Sequence, residues 1–238
     1  MPLLIRNGTL FTATDVFQAD ILADGEKIVQ IGQSIPAQNG TRVLDATGKY
    51  VFPGGIDPHT HLDSPSQGTR TADDYLTGTI AAACGGTTTI VNFCMQQKGE
   101  GLLDLIDHYR GRARDKAVID YGFHAMISDL SESVLGEIDA LVSRGVTSIK
   151  LFMAYRGSLM VDDRTLVRTL DQASKAGILV MVHAENGDAA DLLQQRLLAE
   201  GKTDPKYHAP SRPPRVEAEA TARAAALAEL VGAPIYFV

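Results

Sequence analysis

Tyr50-Val51-Phe52-Pro53-Gly54-Gly55-Ile56-Asp57-Pro58-His59-Thr60-His61 is where the chain changes pattern. Before it, apolar residues come in short strand-like runs: Leu3 to Ile5, Ala19 to Leu22, Ile28 to Ile31 and Arg42 to Leu44. The middle pair is joined by Ala23-Asp24-Gly25-Glu26, a hairpin signal because Asp-Gly tolerates positive φ. After it the order becomes strand, loop, helix, with a repeat of about thirty residues, the mark of βα units. The same stretch carries His59 and His61. In an extended backbone residues two apart face the same way, so both imidazoles can converge on one ion. A pair of exposed loop histidines is the alternative reading of that spacing.

The pattern predicts strands over Val51 to Ile56, Thr87 to Phe93, Ile119 to Ile127, Thr147 to Phe152, Ile178 to Val182 and Pro234 to Val238. Helices are expected between them. Thr71 offers a hydroxyl cap to one that stops at Gly85-Gly86, and Ser131 opens another closed by Gly145. A third runs from about Asp162 to Ala176, stopping at Gly177, and a fourth from Val216 to Val231. Sequential βα units favour a parallel sheet, doubly wound or closed into a (β/α)8 TIM-type barrel. No Gly-x-Gly-x-x-Gly follows the first strand, which disfavours the dinucleotide-binding version. The expected organisation is a β portion over 1–50 and a barrel over 51–238 that shows about six strands of the eight a barrel needs. On that reading the sequence is part of a larger protein.

Composition narrows the function classes. Apolar residues make up 45% of the 238, enough for a sizeable core, and the net charge is -7 with no run of Lys or Arg. That balance argues against a nucleic-acid or anionic-membrane partner. No apolar stretch is long enough to span a bilayer, and the N-terminus lacks a signal-peptide layout. Cys84 and Cys94 make no disulfide framework, which suggests a cytoplasmic location, and Cys84 beside Ala81-Ala82-Ala83 is expected to be buried.

Active residues of such barrels sit at the C-terminal ends of strands. His59 and His61 follow the first strand, Lys150 lies in the fourth, and His183 ends the fifth. Lys150 is apolar-flanked, and a buried ammonium is costly unless paired or neutralised. Desolvation lowers its pKa, so it could be a Schiff-base nucleophile or could be modified, while a protonated amine cannot ligate metal. Glu185 suits an orienting role for His183. His124 and His108 are assigned to structure or surface, and His208 to a loop without a role.

Five segments in order carry a resemblance: Phe52 to His61, Ala82 to Ile90, Ser148 to Tyr155, Val182 to Gly187 and Ser211 to Glu219. Together they resemble the amidohydrolase superfamily, and within it the dihydropyrimidinase and D-hydantoinase family of cyclic-amide hydrolases. The resemblance implies a small N-terminal β-sandwich portion beside the barrel. It also implies hydrolysis of hydantoins or 5,6-dihydropyrimidines to N-carbamoyl amino acids by a metal-bridging hydroxide. It implies two divalent ions, zinc foremost with manganese and cobalt as alternatives. His59, His61 and His183 would be ligands, and Lys150, carboxylated by carbon dioxide, would bridge the ions. Tyr155 would donate to the developing oxyanion and contact substrate. The loops after His61, Phe93 and Tyr155 would line the pocket, giving a mainly apolar wall that includes Leu62, Phe93 and Leu159. The partner would be a small cyclic amide or ureide, and the assembly a homo-oligomer, a tetramer by resemblance.

The family pattern continues beyond Val238 with a further metal-binding histidine and a proton-shuttling aspartate. The 238-residue stretch is therefore expected to be inactive alone. A non-catalytic hydrolase-like binding protein and an allantoinase- or dihydroorotase-like enzyme are the alternatives.

Overall fold

The computed structural model describes residues 1–66 and 68–238 and divides into two compact units, Met1–Gly55 and Ile56–Val238. The first unit holds β1 (Leu3–Phe11), β2 (Val16–Asp24), β3 (Lys27–Gly32), β4 (Arg42–Asp45) and β5 (Tyr50–Val51). They form one sheet in the order β3-β2-β1-β4, with β5 also on β1. β2 runs antiparallel to β1 and β3, whereas β4 and β5 run parallel to β1. The expected hairpin is present: Asp24 stands opposite Lys27 and Gly25 takes a φ of 58°. Buried Asp20 anchors this unit, its carboxylate accepting the Asn7 and Ile35 N–H groups at 2.9 and 3.0 Å.

The strand expected over Val51 to Ile56 is in fact the end of one strand and the start of another. β5 ends at Val51, and β6 (Gly55–Thr60) opens the second sheet. Pro53, between them, has no N–H for a ladder.

After β6 come a short hairpin, β7 (Pro65–Ser66) and β8 (Thr69–Arg70), then α1 (Tyr75–Gly85), β9 (Thr87–Met95) and α2 (Leu102–Ala113). β10 (Asp120–Met126), α3 (Glu132–Leu141), β11 (Ser148–Phe152), α4 (Asp163–Lys175) and β12 (Leu179–His183) follow. The unit finishes with α5 (Gly187–Ala199), α6 (His208–Ser211), α7 (Pro214–Val231) and β13 (Ile235–Phe237). Its main sheet has the order β13-β12-β11-β10-β9-β6, so spatial order follows chain order. The paired strands from β9 to β13 are parallel. That is the arrangement right-handed βα units produce, and it puts the C-terminal ends of β9 to β13 on one edge.

Local chemistry explains most helix ends. Ser131 accepts from the Val134 N–H and so caps α3, and Gly145 turns the chain at a φ of 74°. Asp74, not Thr71, caps α1: its carboxylate takes the Leu76 and Thr77 N–H groups while Thr77 returns a bond. A carboxylate next to the first turn outcompetes a hydroxyl three residues earlier. Cys84 is exposed, contrary to its expected burial. The buried residues of α1 are Tyr75 and Thr79, and Cys84 lies five positions beyond Thr79, well round the helix from that face. The core joins Leu105, Ile106, Ile138, Leu141, Leu166 and Leu170 of the helices to Ile90, Ile149 and Val180 of the strands. No helix among the described residues is long and apolar enough to cross a membrane.

Candidate metal centre

Three strands bring the predicted ligands to one edge of the sheet. His59 lies near the end of β6 with His61 just beyond it, Lys150 lies within β11, and His183 is the last residue of β12. The β6 backbone is set locally, because the Asp57 carboxylate accepts the His59 N–H at 3.0 Å.

Phe93 of β9 organises the cluster. Its ring centroid lies 4.8 Å from that of His59, 4.9 Å from His61 and 4.7 Å from His124. The His59 and His61 rings are 5.5 Å apart. With 1% exposure, Phe93 is a floor beneath imidazoles and not the substrate-facing wall expected of it. The position follows from β9 lying between β6 and β10.

The Lys150 ammonium enters the same cluster, 5.7 Å from the Phe93 ring centroid and 4.7 Å from that of Phe152. The residue is 2% exposed, and among the described residues no carboxylate pairs with it. Burial lowers its pKa to about 8, which makes the free amine more accessible than in an ordinary lysine. A buried amine without a counter-ion is unfavourable as it stands.

His183 donates through Nε2 to Glu185 Oε2 at 2.7 Å, and Glu185 Oε1 lies 3.4 Å from Arg212 Nε. A carboxylate can only accept, so this bond places the proton on Nε2 and leaves the Nδ1 lone pair available. The Arg212 guanidinium also lies 6.0 Å from the Tyr155 ring centroid. Arg212 escaped sequence reasoning as a site residue, although it lies within the Ser211-Arg212-Pro213-Pro214 motif.

Tyr155 stands just past β11 with a φ of 65°, a left-handed conformation unusual for a bulky residue. The Ser158, Leu159 and Met160 N–H groups all converge on its carbonyl, and this tight loop holds the strained backbone. Its ring is 5.5 Å from that of His183. Both residues line a cavity of about 320 Å³ with Glu185 and Arg212. His208, given no role above, lines it as well.

A second cavity, of about 750 Å³, opens among the loops that follow β6, β9, β10 and β11. Leu159 and Met95 line it, but so do Arg70, Gln96, Lys98 and Asp129, so its wall is mixed and not mainly apolar. Leu62 is not among its lining residues. It packs on α1 instead, where only a glycine at position 78 leaves it room. Fully buried Asn92 ties this loop down, accepting the Leu62 N–H at 2.7 Å and donating to the Tyr75 hydroxyl at 2.9 Å. Asn92→Ala removes both bonds and strands buried partners, so it should cost about 3 kcal/mol in chemical denaturation.

Burial, followed by the Lys150 charge, lowers the pKa of His59, while burial and then the His59 charge lower that of His61. Burial also lowers that of His124. Groups with depressed folded-state values add stability above the unfolded value of 6.5, and that stability is lost as pH falls through the folded values. The melting temperature of the metal-free protein should therefore drop on acidification from pH 7.5 to 5.5, as followed by circular dichroism.

Among the described residues, no three His, Cys, Asp or Glu side chains by themselves close around an ion. Lys150 enters the same cluster, and a carboxylate on its amine would add donor oxygens to the histidine set. That modification would also neutralise the cost of burying an ammonium, so the donor set fits metal ions.

The chain shares 56% identity over 239 residues with the D-hydantoinase of Ralstonia pickettii, covering 100% of this chain and 52% of that protein. The D-hydantoinase of Rhizobium radiobacter is also 56% identical, over 238 residues, with the same coverage. The crystal structure of dihydropyrimidinase from Brevibacillus agri superposes with a TM-score of 0.97 at 56% identity, over 100% of this chain and 51% of that one. The chain thus spans about half the length of the curated relatives it matches. A family model described as Amidohydrolase family matches residues 50–222, from the start of β5 into α7. That match takes in all four candidate ligands, and the chain belongs to the amidohydrolase family.

Proposed function

We propose that the protein hydrolyses the cyclic amide bond of hydantoins or 5,6-dihydropyrimidines to give N-carbamoyl amino acids, using a binuclear metal centre in a (β/α)8 barrel. The observation that carries this reading is Lys150: a buried amine with no counter-ion among the described residues, gathered with His59 and His61 around the Phe93 ring. His59 and His61 would hold one ion, His183 the other, and carboxylated Lys150 both. Zinc suits the imidazole-rich set, and manganese or cobalt is compatible with it. When bound, the ions would supply an activated water and polarise the scissile carbonyl.

The chain's own residues do the rest. Lys150, its pKa lowered by burial, can attack carbon dioxide through its neutral amine to form the N–C bond of the carbamate, one N–H proton passing to solvent. Glu185, steadied by Arg212, fixes the His183 tautomer and ring. Tyr155 donates its hydroxyl to the carbonyl oxygen as negative charge gathers there. Ring opening adds one water across the C–N bond, with hydroxyl going to the carbonyl carbon and hydrogen to the nitrogen.

Tyr155 and Leu159 lie on one loop but line different cavities, which supports the reacting ring near Tyr155 and the exocyclic group near Leu159. Leu159→Ala should then shift the ratio of kcat/KM between bulky and small 5-substituents by about tenfold. An unchanged ratio would remove Leu159 from the pocket.

The reading is tested on the full-length protein by following ring opening of dihydrouracil and of a 5-monosubstituted hydantoin, before and after chelation. Activity lost on chelation and restored by zinc supports it. Activity untouched by metal removal, together with borohydride trapping of a carbonyl substrate on Lys150, would replace it with Schiff-base chemistry.

A further inference from the structure

His124 sits in the middle of the sheet, on β10, with its side chain 6% exposed. Its Nε2 lies 2.8 Å from the Pro58 carbonyl oxygen on β6, and its Nδ1 lies 2.5 Å from Ser148 Oγ on β11. β9 runs between β10 and β6, so the imidazole reaches past a whole strand, over the Phe93 ring, to make the first of these bonds.

The donor pattern is determinate. A carbonyl can only accept, so Nε2 carries the proton and donates to Pro58. Nδ1 of that tautomer can only accept, so the Ser148 hydroxyl donates to it. Both anchor points adjoin candidate ligands. Pro58 immediately precedes His59, and Ser148 lies two residues before Lys150 and so on the same side of β11. The Asp57 carboxylate already fixes the His59 N–H from the other side. Pro58, having no N–H, leaves its carbonyl as the one backbone polar group it can use to hold this stretch.

We propose that His124 is a positioning residue that sets the spacing between the His59–His61 pair and Lys150, and thereby the affinity for the ion they would share. The inference rests on the metal-centre reading above. A residue that merely filled the core would be replaceable by an apolar ring of similar size. A strut between two ligand-bearing strands is not, because the bonds to Pro58 and Ser148 carry its effect.

The test compares His124→Phe, His124→Gln and Ser148→Ala in the full-length protein. Zinc affinity is measured in chelator-buffered titrations, with the cobalt absorption spectrum as a report on ligand geometry and thermal unfolding of the metal-free forms as a check on the fold. His124→Phe and Ser148→Ala should weaken binding on the order of 10- to 100-fold and shift the cobalt bands. His124→Gln, whose amide N–H can reach Pro58, should recover most of the affinity. Parent-like affinity and spectrum in a folded His124→Phe would overturn the proposal. Should that variant fail to fold, parent-like binding by Ser148→Ala together with a loss in His124→Gln would overturn it instead. A parent protein that takes up neither zinc nor cobalt would overturn the metal-centre reading itself, a result distinct from a parent that binds metal and variants that bind it equally well.

Discussion

Lys150→Met should bring hydantoin ring opening to background and lower bound metal from two equivalents towards none. Methionine is unbranched and close to lysine in length, so it fits between Phe93 and Phe152 without opening a cavity. The fold should survive, and the metal-free variant should be at least as stable as the parent, because a buried amine has been replaced by an apolar group. What disappears is the group able to take up carbon dioxide and join the two histidine-bearing ends. Losing a protein ligand should weaken metal binding by about a hundredfold or more, since even partners one shell further out are worth 10- to 100-fold. Elemental analysis after gel filtration reads the metal, and the loss of ultraviolet absorbance of dihydrouracil reads the activity. A Lys150→Met protein that keeps both metals would show that the lysine is structural.

Tyr155→Phe should lower kcat by about 100- to 1,000-fold and leave KM and metal content within a few-fold of the parent. The hydroxyl contributes when negative charge develops on the carbonyl oxygen, so its removal is felt in the transition state more than on binding. The Tyr155 ring keeps its place beside His183, and the left-handed backbone held by three N–H groups is unaltered. A change in KM alone would make Tyr155 a substrate contact with no part in stabilising the oxyanion.

Much of this fold was legible in the sequence because its signals are local. Ser131 as a cap, Gly145 as a stop, the Asp24-Gly25 hairpin and the strand–helix alternation each depend on a few neighbouring residues. The errors fall where a distant partner or a stronger local competitor decides. Asp74 displaced Thr71 as a cap, and Pro53 divided one apolar run between two strands. α5 carried little readable amphipathicity, with Leu192 and Leu198 both exposed and Gly187 and Ala190 buried.

The candidate ligands were legible from spacing and from the motifs that carry the family resemblance. Their surroundings were not. Phe93 is covered because three histidines from β6, its flank and β10 close over it, and nothing within its own strand announces that. The His124 bonds join residues 66 and 24 positions apart, beyond the reach of any local pattern. The mixed wall of the larger cavity likewise arises from four loops separated along the chain.

The most direct test of the central claim is diffraction from crystals of the zinc-loaded full-length protein, collected on both sides of the zinc absorption edge. The account predicts two anomalous peaks, one beside His59 and His61 and one beside His183, with density continuing past Lys150 Nζ as a carboxylate between them. A bare lysine ammonium with no peak at these histidines would contradict it.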